Sequence, residues 1–493
     1  MDDLLWLDAT AQAELVRSGE VAAGELVDAA IARIERLDPR INAVILRRFE
    51  RVREEARGGL PDGPFRGVPF LVKDSLCQIA GEPHHAAMRA LKDAGYRSSH
   101  DSYLGARYKR AGFAILGKSN LSELALSPIT DSVAYGPTRN PWDLRCTAGG
   151  SSGGAAAAVA AGFVPVAHGG DSGGSIRIPA SACGVVGLKP SRGRITLGPD
   201  FGERFGQKSC EHVLTRSVRD SAAVLDACAG AAPGDPSIAP PPVRPWRDEV
   251  GADPGRLRIG FRTLRADERG WDAPCAAAVA STAALLADLG HEVEDDRPAC
   301  LDVLEDRSMI ETMHVIKYVH VASELARLGA LIGRELGAGD VEPNTWSAAD
   351  AARHVSGVQL MQAMAEQHRY ARRLAGWWEG DFDILVTPTL ATLPFRFKES
   401  GVEPGRLRKL DLSGAGGEDK PLGLATFTGH YNLSGQPAIS LPLHWSGDGV
   451  PVGVQFIAAY GREDLLFRLA GQLETARPWA HRRPPAVTPV TPV

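Results

Sequence analysis

The sequence predicts an α/β layered protein, and three observations carry that reading. First, short apolar runs such as Val68-Pro69-Phe70-Leu71-Val72, closing on Lys73-Asp74, have the length and composition of buried strands. Second, stretches with apolar residues at helical spacing (Leu26, Ala30, Ile34 and Leu37) alternate with such runs. Third, a glycine-serine loop at 147–154 runs directly into an alanine-rich helical stretch.

The elements follow in order. Residues 10–38 read as two helices, with Thr10 as the first N-cap, Gly19 and Gly24 as punctuation and Pro39 as the stop. Residues 66–74 form a strand that carries Lys73 at its C-terminal end. A helix after residue 101 leads to a strand at Phe113-Ala114-Ile115-Leu116. The alanine-rich helix is followed by Phe163-Val164-Pro165-Val166-Ala167 and a second glycine-serine loop over 169–175. Residues 232–256, rich in Pro, Asp and Gly, read as an exposed connector. A helix over 273–290 precedes a strand at His291-Glu292-Val293. Phe382 to Pro388 is a further buried strand. Two late strands, 437–442 and 451–457, are joined through Gly447-Asp448-Gly449. The tail 484–493 is Pro-rich and reads as frayed. No internal repeat is present, and residues 1–483 read as one domain.

Composition bounds the function. The chain of 493 residues is 44% hydrophobic and 23% charged, which excludes a disordered or fibrous protein. A net charge of −5 gives no bulk attraction to nucleic acid or anionic membrane. No apolar run is long enough to span a bilayer, and Met1-Asp2-Asp3-Leu4-Leu5 lacks a signal-peptide pattern, so a cytoplasmic location is expected. Seven cysteines without a CxxC pair read as reduced thiols. No Cys/His spacing suggests a metal site, and His84-His85 read as surface imidazoles. No metal or cofactor is expected.

Glycine is in excess, 54 residues, partly because of the two loops. Glycines allow positive φ and close approach of a ligand, and convergent N–H groups beside a helix start form an anion cradle. The spacings of a P-loop and of a dinucleotide fingerprint are both missing. That favours the oxyanion of acyl transfer over a phosphate, with Ser172, Gly173, Gly174 and Ser175 as N–H donors and Ser175 as the adjacent nucleophile. No GxSxG elbow is present, so the base need not be histidine. A lysine serves if burial keeps it neutral. Lys73 is the lysine best placed for that, although a solvent-facing strand-end lysine fits the same pattern. Ser151 can relay a proton between base and nucleophile. Ser152 suits a cap of the following helix.

Three blocks then carry a resemblance. They are Gly149-Gly150-Ser151-Ser152-Gly153-Gly154, Asp171-Ser172-Gly173-Gly174-Ser175-Ile176-Arg177-Ile178-Pro179 and Gly184-Val185-Val186-Gly187-Leu188-Lys189-Pro190. With Gly67 to Asp74, Leu116 to Asn120 and Thr138 to Trp142, they resemble the amidase signature family, over nearly the whole chain. The resemblance implies an α/β/α sandwich with a large mixed sheet covered by helices on both faces, and a catalytic core at about 60–220. It implies a Ser–cis-Ser–Lys triad of Ser175, Ser151 and Lys73, the two serines being 24 residues apart. Asp171, Arg177 and Ser152 are expected to support the loops, and homodimers are the family habit.

Within the family the chain is similar to hydrolases of 6-aminohexanoate cyclic dimers, through Ala9 to Glu20, Pro165 to His168, Asn432 to Ser440 and Ala459 to Leu466. It departs from them at Ser75–His85, Phe201–His212, Asp306–His320 and Leu393–Thr428, segments expected to wall the substrate pocket within about 300–430 and beside the core. Met309, Met313, Ile316, Tyr318 and Val319 read either as a pocket wall or as a core helix. The expected substrate is a linear or cyclic aliphatic amide, with aryl amides and carbamates (urethanes) next. Two other readings stay open: a glutaminase subunit of a tRNA-dependent amidotransferase, and a non-catalytic anion- or nucleotide-binding protein.

Overall fold

A computed structural model describes residues 2–262, 272–301, 307–397 and 424–487. Eleven strands join in one mixed sheet: β1 (Val44–Arg47), β2 (Pro69–Lys73), β3 (Ala114–Ser119), β4 (Val166–Asp171), β5 (Val186–Lys189), β6 (Cys210–Thr215), β7 (Arg258–Phe261), β8 (Glu292–Glu294), β9 (Ile384–Pro388), β10 (Ala438–Trp445) and β11 (Pro451–Ala458). Their spatial order is β1-β3-β2-β4-β6-β5-β10-β11-β9-β7-β8. The β3-β2-β4 group is parallel, as is β9-β7-β8, and antiparallel pairs join the two through β6, β5, β10 and β11.

Alternation within single strands shows why the sheet is covered on both faces. In β2, Phe70 and Val72 enter one hydrophobic cluster with Tyr108, Phe113 and Val213, while Leu71 enters the other with Ala114, Leu116 and Ala167. Successive side chains point to opposite faces, so a strand with every residue buried must have cover above and below. The α/β/α sandwich expected from the sequence is therefore the architecture observed.

Seven helices matter below: α1 (Ala9–Ser18), α2 (Ala23–Ile41), α3 (Tyr103–Arg110), α4 (Gly153–Ala160), α5 (Arg177–Cys183), α6 (Arg307–Leu331) and α7 (Gly357–Ala375). The N-cap of α1 is Asp8, not Thr10: its carboxylate accepts from Ala11 N at 3.0 Å, while the Thr10 hydroxyl donates to Asp220. Pro39 does not stop α2. It sits in the last turn, and the helix closes at Asn42, whose φ is 60°. A proline this close to the end removes one hydrogen bond without breaking a helix interior.

Helix α4 is buried at all eight positions. Its glycines and alanines let the helix approach other chain closely: a Cβ on Gly154 would lie 2.4 Å from Asn120 N. Strand β4 extends through Gly169-Gly170 to Asp171, so the second loop is shorter than expected and only 172–175 turn. In the tail, Pro485–Val487 form a 3-10 turn with Val487 buried, and 488–493 lie outside the described residues. None of the seven cysteines is in a disulfide.

Candidate active site

Lys73 ends β2 in the middle of the sheet and is 1% exposed. Its Nζ lies 2.8 Å from Ser151 Oγ and 3.3 Å from the Gly170 carbonyl of the neighbouring β4. Burial lowers its pKa to about 8, against the opposing pull of Glu211 and Asp171. The solvent-facing alternative for Lys73 is thereby excluded. The Lys73 N–H donates to His168 Nδ1 at 3.2 Å, so Nε2 of that ring carries the proton and donates to Glu211 Oε2 at 2.7 Å. This chain of bonds fixes β2 beside β4 where the lysine emerges.

Ser151 follows a cis peptide bond from Gly150 and is fully buried. Gly150 is required there, because a Cβ would lie 2.8 Å from Ile129 backbone atoms. Ser152 N donates to the Ser175 carbonyl at 3.2 Å, which sets the two loops side by side. Its hydroxyl donates to Gly170 O at 3.2 Å and makes no helix cap, contrary to expectation. Ser175 is half-buried, and its Oγ has no hydrogen-bond partner among the described residues.

Asp171 shapes the second loop. Its carboxylate accepts from Gly174 N at 2.7 Å and Ile176 N at 3.1 Å, and pairs with Arg177 Nε at 3.0 Å and Nη2 at 2.9 Å. Burial alone would raise its pKa, but the Arg177 guanidinium outweighs burial and holds the carboxyl well below the usual range. The Gly174 N–H is therefore engaged within the protein, which corrects the expectation of four free donors. The N–H groups of Ser172, Gly173 and Ser175 donate to no described protein group.

Three residues with no role assigned from the sequence complete the support. Asn432 Nδ2 donates to the Asp171 carbonyl at 3.0 Å, Gln455 Oε1 accepts from Arg177 Nη1 at 2.7 Å, and Thr428 Oγ1 donates to Gly173 O at 2.6 Å. Gln455 had a legible signal: it is a lone polar residue in the apolar strand β11, buried at every position.

A family model for amidases matches residues 25–467. The chain belongs to the amidase signature family. It is 45% identical over 490 residues to the 6-aminohexanoate-cyclic-dimer hydrolases of Paenarthrobacter ureafaciens and Pseudomonas sp. (strain NK87), with 98% of each chain covered. A solved structure of 6-aminohexanoate cyclic dimer hydrolase complexed with substrate superposes with a TM-score of 0.92 and 44% identity, over 98% of this chain and 100% of that one. A bacterial aryl acylamidase of the same family gives 0.84 and 28%, over 96% and 97%. This amidase is accordingly an enzyme, a hydrolase of amide carbon–nitrogen bonds.

Two of the segments expected to wall the substrate pocket reach the second loop, through Ser209 and Thr428. The Phe205 ring lies 3.8 Å from that of His320, Ser209 Oγ is 2.7 Å from Ser172 Oγ, and Thr428 touches Gly173. Residues 398–423 lie outside the described residues. On α6, Ile316 is buried, half-buried Met313 packs against Tyr370 and Tyr431, half-buried Tyr318 packs against Leu325, and Val319 lines a cavity with Trp346 and Arg353; the Met309 side chain lies outside the described residues. His84 and His85 are not surface imidazoles. Both are buried beside the Asp74–Lys118 ion pair of 3.0 Å, and burial pushes His84 down to about 3. Among the described residues no group of three His, Cys, Asp or Glu could hold a metal ion, and no helix is long and apolar enough to cross a membrane.

Proposed function

We propose that the amidase hydrolyses small linear or cyclic aliphatic amides through Ser175, with Ser151 as relay and Lys73 as base. The observation that carries this is the 2.8 Å contact of Lys73 Nζ with Ser151 Oγ in a buried setting. A neutral Lys73 takes the Ser151 proton, Ser151 takes that of Ser175, and Ser175 Oγ attacks the carbonyl carbon. The N–H groups of Ser172, Gly173 and Ser175 hold the oxyanion. The relay returns the proton to the leaving amine, and water then cleaves the acyl-enzyme. Asp171 and Arg177 hold the loop, and Ser152 ties it to the relay serine.

The 6-aminohexanoate-cyclic-dimer hydrolases, alike over the full length, support a cyclic or linear aliphatic amide as substrate. Aryl amides and carbamates open by the same attack and amine loss. A turnover panel of cyclic amides, linear amides, anilides and carbamates tests the reading. Hydrolysis of an aliphatic amide by wild type, lost in Ser175→Ala, is expected. Undiminished turnover by Ser175→Ala overturns it. Hydrolysis of glutamine only within a larger complex would favour the amidotransferase subunit instead.

A further inference from the structure

Glu211 of β6 stands directly opposite Gly170 of β4 and is 3% exposed. Its carboxylate fills the space that a side chain at 170 would need, since a Cβ on Gly170 would collide with Glu211 Oε1. The carbonyl of the same glycine accepts from Lys73 Nζ at 3.3 Å. One glycine thus separates the carboxylate from the amine. Glu211 Oε2 accepts from His168 Nε2 at 2.7 Å, and His168 Nδ1 accepts the Lys73 N–H at 3.2 Å. A ring that donates at one nitrogen and accepts at the other is neutral, so this contact leaves the charge of Glu211 unmatched.

The other charges around Lys73 are matched in contact. Asp171 pairs with Arg177 at 2.9 Å, Asp74 with Lys118 of β3 at 3.0 Å, and Arg204, in the loop before β6, with Glu324 of α6 at 3.3 Å. Glu211 contacts no lysine or arginine among the described residues. Tyr108 and Cys77, which share its surroundings, are held neutral by burial and by its charge. A buried carboxylate without a cation is costly, and Lys73 becomes a cation, one glycine away, whenever it takes the Ser151 proton. Against burial, which disfavours that ammonium, Glu211 is the strongest of the charges favouring it, ahead of Asp171, while Arg204 opposes it.

We propose that Glu211 is a positioning residue for the proton relay: its carboxylate is the counter-charge of the ammonium that Lys73 becomes, and it sets the pH at which Lys73 serves as base. The proposal rests on the hydrolase reading above and adds to it a residue that touches neither the nucleophile nor the relay serine. His168 is the link that holds the carboxylate in place and ties it to the main chain of the base. Without the negative charge the ammonium is less favoured, so Lys73 sheds its proton at lower pH.

The test is the rate at which a fluorophosphonate labels Ser175, followed against pH in wild type, Glu211→Gln, Glu211→Met and Glu211→Asp. Wild type is expected to show a rising limb with its midpoint near pH 8. In Glu211→Gln, which keeps an acceptor for His168 but no charge, and in Glu211→Met, the midpoint is expected about one pH unit lower. Glu211→Asp, which keeps the charge, is expected to stay nearer to wild type than Glu211→Gln. A midpoint unmoved or raised in Glu211→Gln overturns the proposal, as does a shift as large in Glu211→Asp as in Glu211→Gln. Should only Glu211→Met fold, the same reading is taken from it. Loss of fold in both uncharged variants makes the carboxylate a folding requirement and overturns the proposal too. A wild type without any rising limb would instead sink Lys73 as base, whereas a limb present in wild type and unmoved in Glu211→Gln sinks the role of Glu211 alone.

Discussion

Asp171 and Arg177 form a pair with no part of either side chain in solvent, joined by Nε and Nη2 at 3.0 and 2.9 Å. The pair also fixes the 172–175 turn, since the same carboxylate accepts from Gly174 N and Ile176 N. Removing one partner leaves the other charge buried alone, which costs about 3–5 kcal/mol. Asp171→Ala is expected to lower unfolding stability by that amount in urea titration and to lose turnover. Stability within about 0.5 kcal/mol of wild type, the range of an ordinary surface substitution, would contradict the role given to the pair.

The pH dependence follows from Lys73. Burial sets its pKa to about 8, and the base must be the neutral amine. The reactive fraction therefore grows as pH rises. Below pH 8, kcat/KM is expected to increase about tenfold per unit, then to level off above it. Lys73→Met, which keeps the length of the chain but no base, is expected to lose on the order of 100- to 10,000-fold in rate. A profile flat from pH 6 to 9, a window chosen to bracket about 8, would contradict the assignment.

Two neighbouring glycines separate space from chemistry. A Cβ on Gly174 would lie 2.2 Å from Thr428 Oγ1, and its φ is 130°. A Cβ on Gly173 meets nothing within 4 Å. Gly174→Ala is expected to destabilise the fold and abolish activity, while Gly173→Ala melts as wild type does. Equal melting temperatures for the two variants would contradict this.

Lys118 and Asp74 make another buried pair, at 3.0 Å, with the His85 N–H also donating to Asp74. Burial and the Lys118 charge hold the neighbouring His84 imidazole well below its usual range, so with the lysine in place the ring is neutral at pH 7. Lys118→Met is expected to cost about 3–5 kcal/mol in denaturant. A loss confined to turnover, with stability intact, would instead give Lys118 a part in the chemistry.

The legible parts were local ones. The apolar run ending in Lys73, the late strands and the alanine-rich helix each carry their pattern in a few residues, and the structure has them there. What was not legible came from closure over distance. Asn432, Thr428 and Gln455 reach Asp171, Gly173 and Arg177 from more than 250 residues away, and no window of sequence contains both ends. Nothing local says that Asp171 turns back on its own loop and engages the Gly174 N–H. The burial of His84 and His85 has no local signal, because it depends on Asp74 and Lys118 meeting across β2 and β3. The α1 cap moved to Asp8 because Asp220 claims Thr10 from another helix.

The most direct measurement is intact-mass spectrometry of the protein during reaction with a fluorophosphonate, in wild type and Lys73→Met across pH. The account gives one adduct, on Ser175, forming faster as pH rises through about 8 in wild type and far more slowly in the variant. An adduct on another residue, or labelling of Lys73→Met at the wild-type rate, would contradict it.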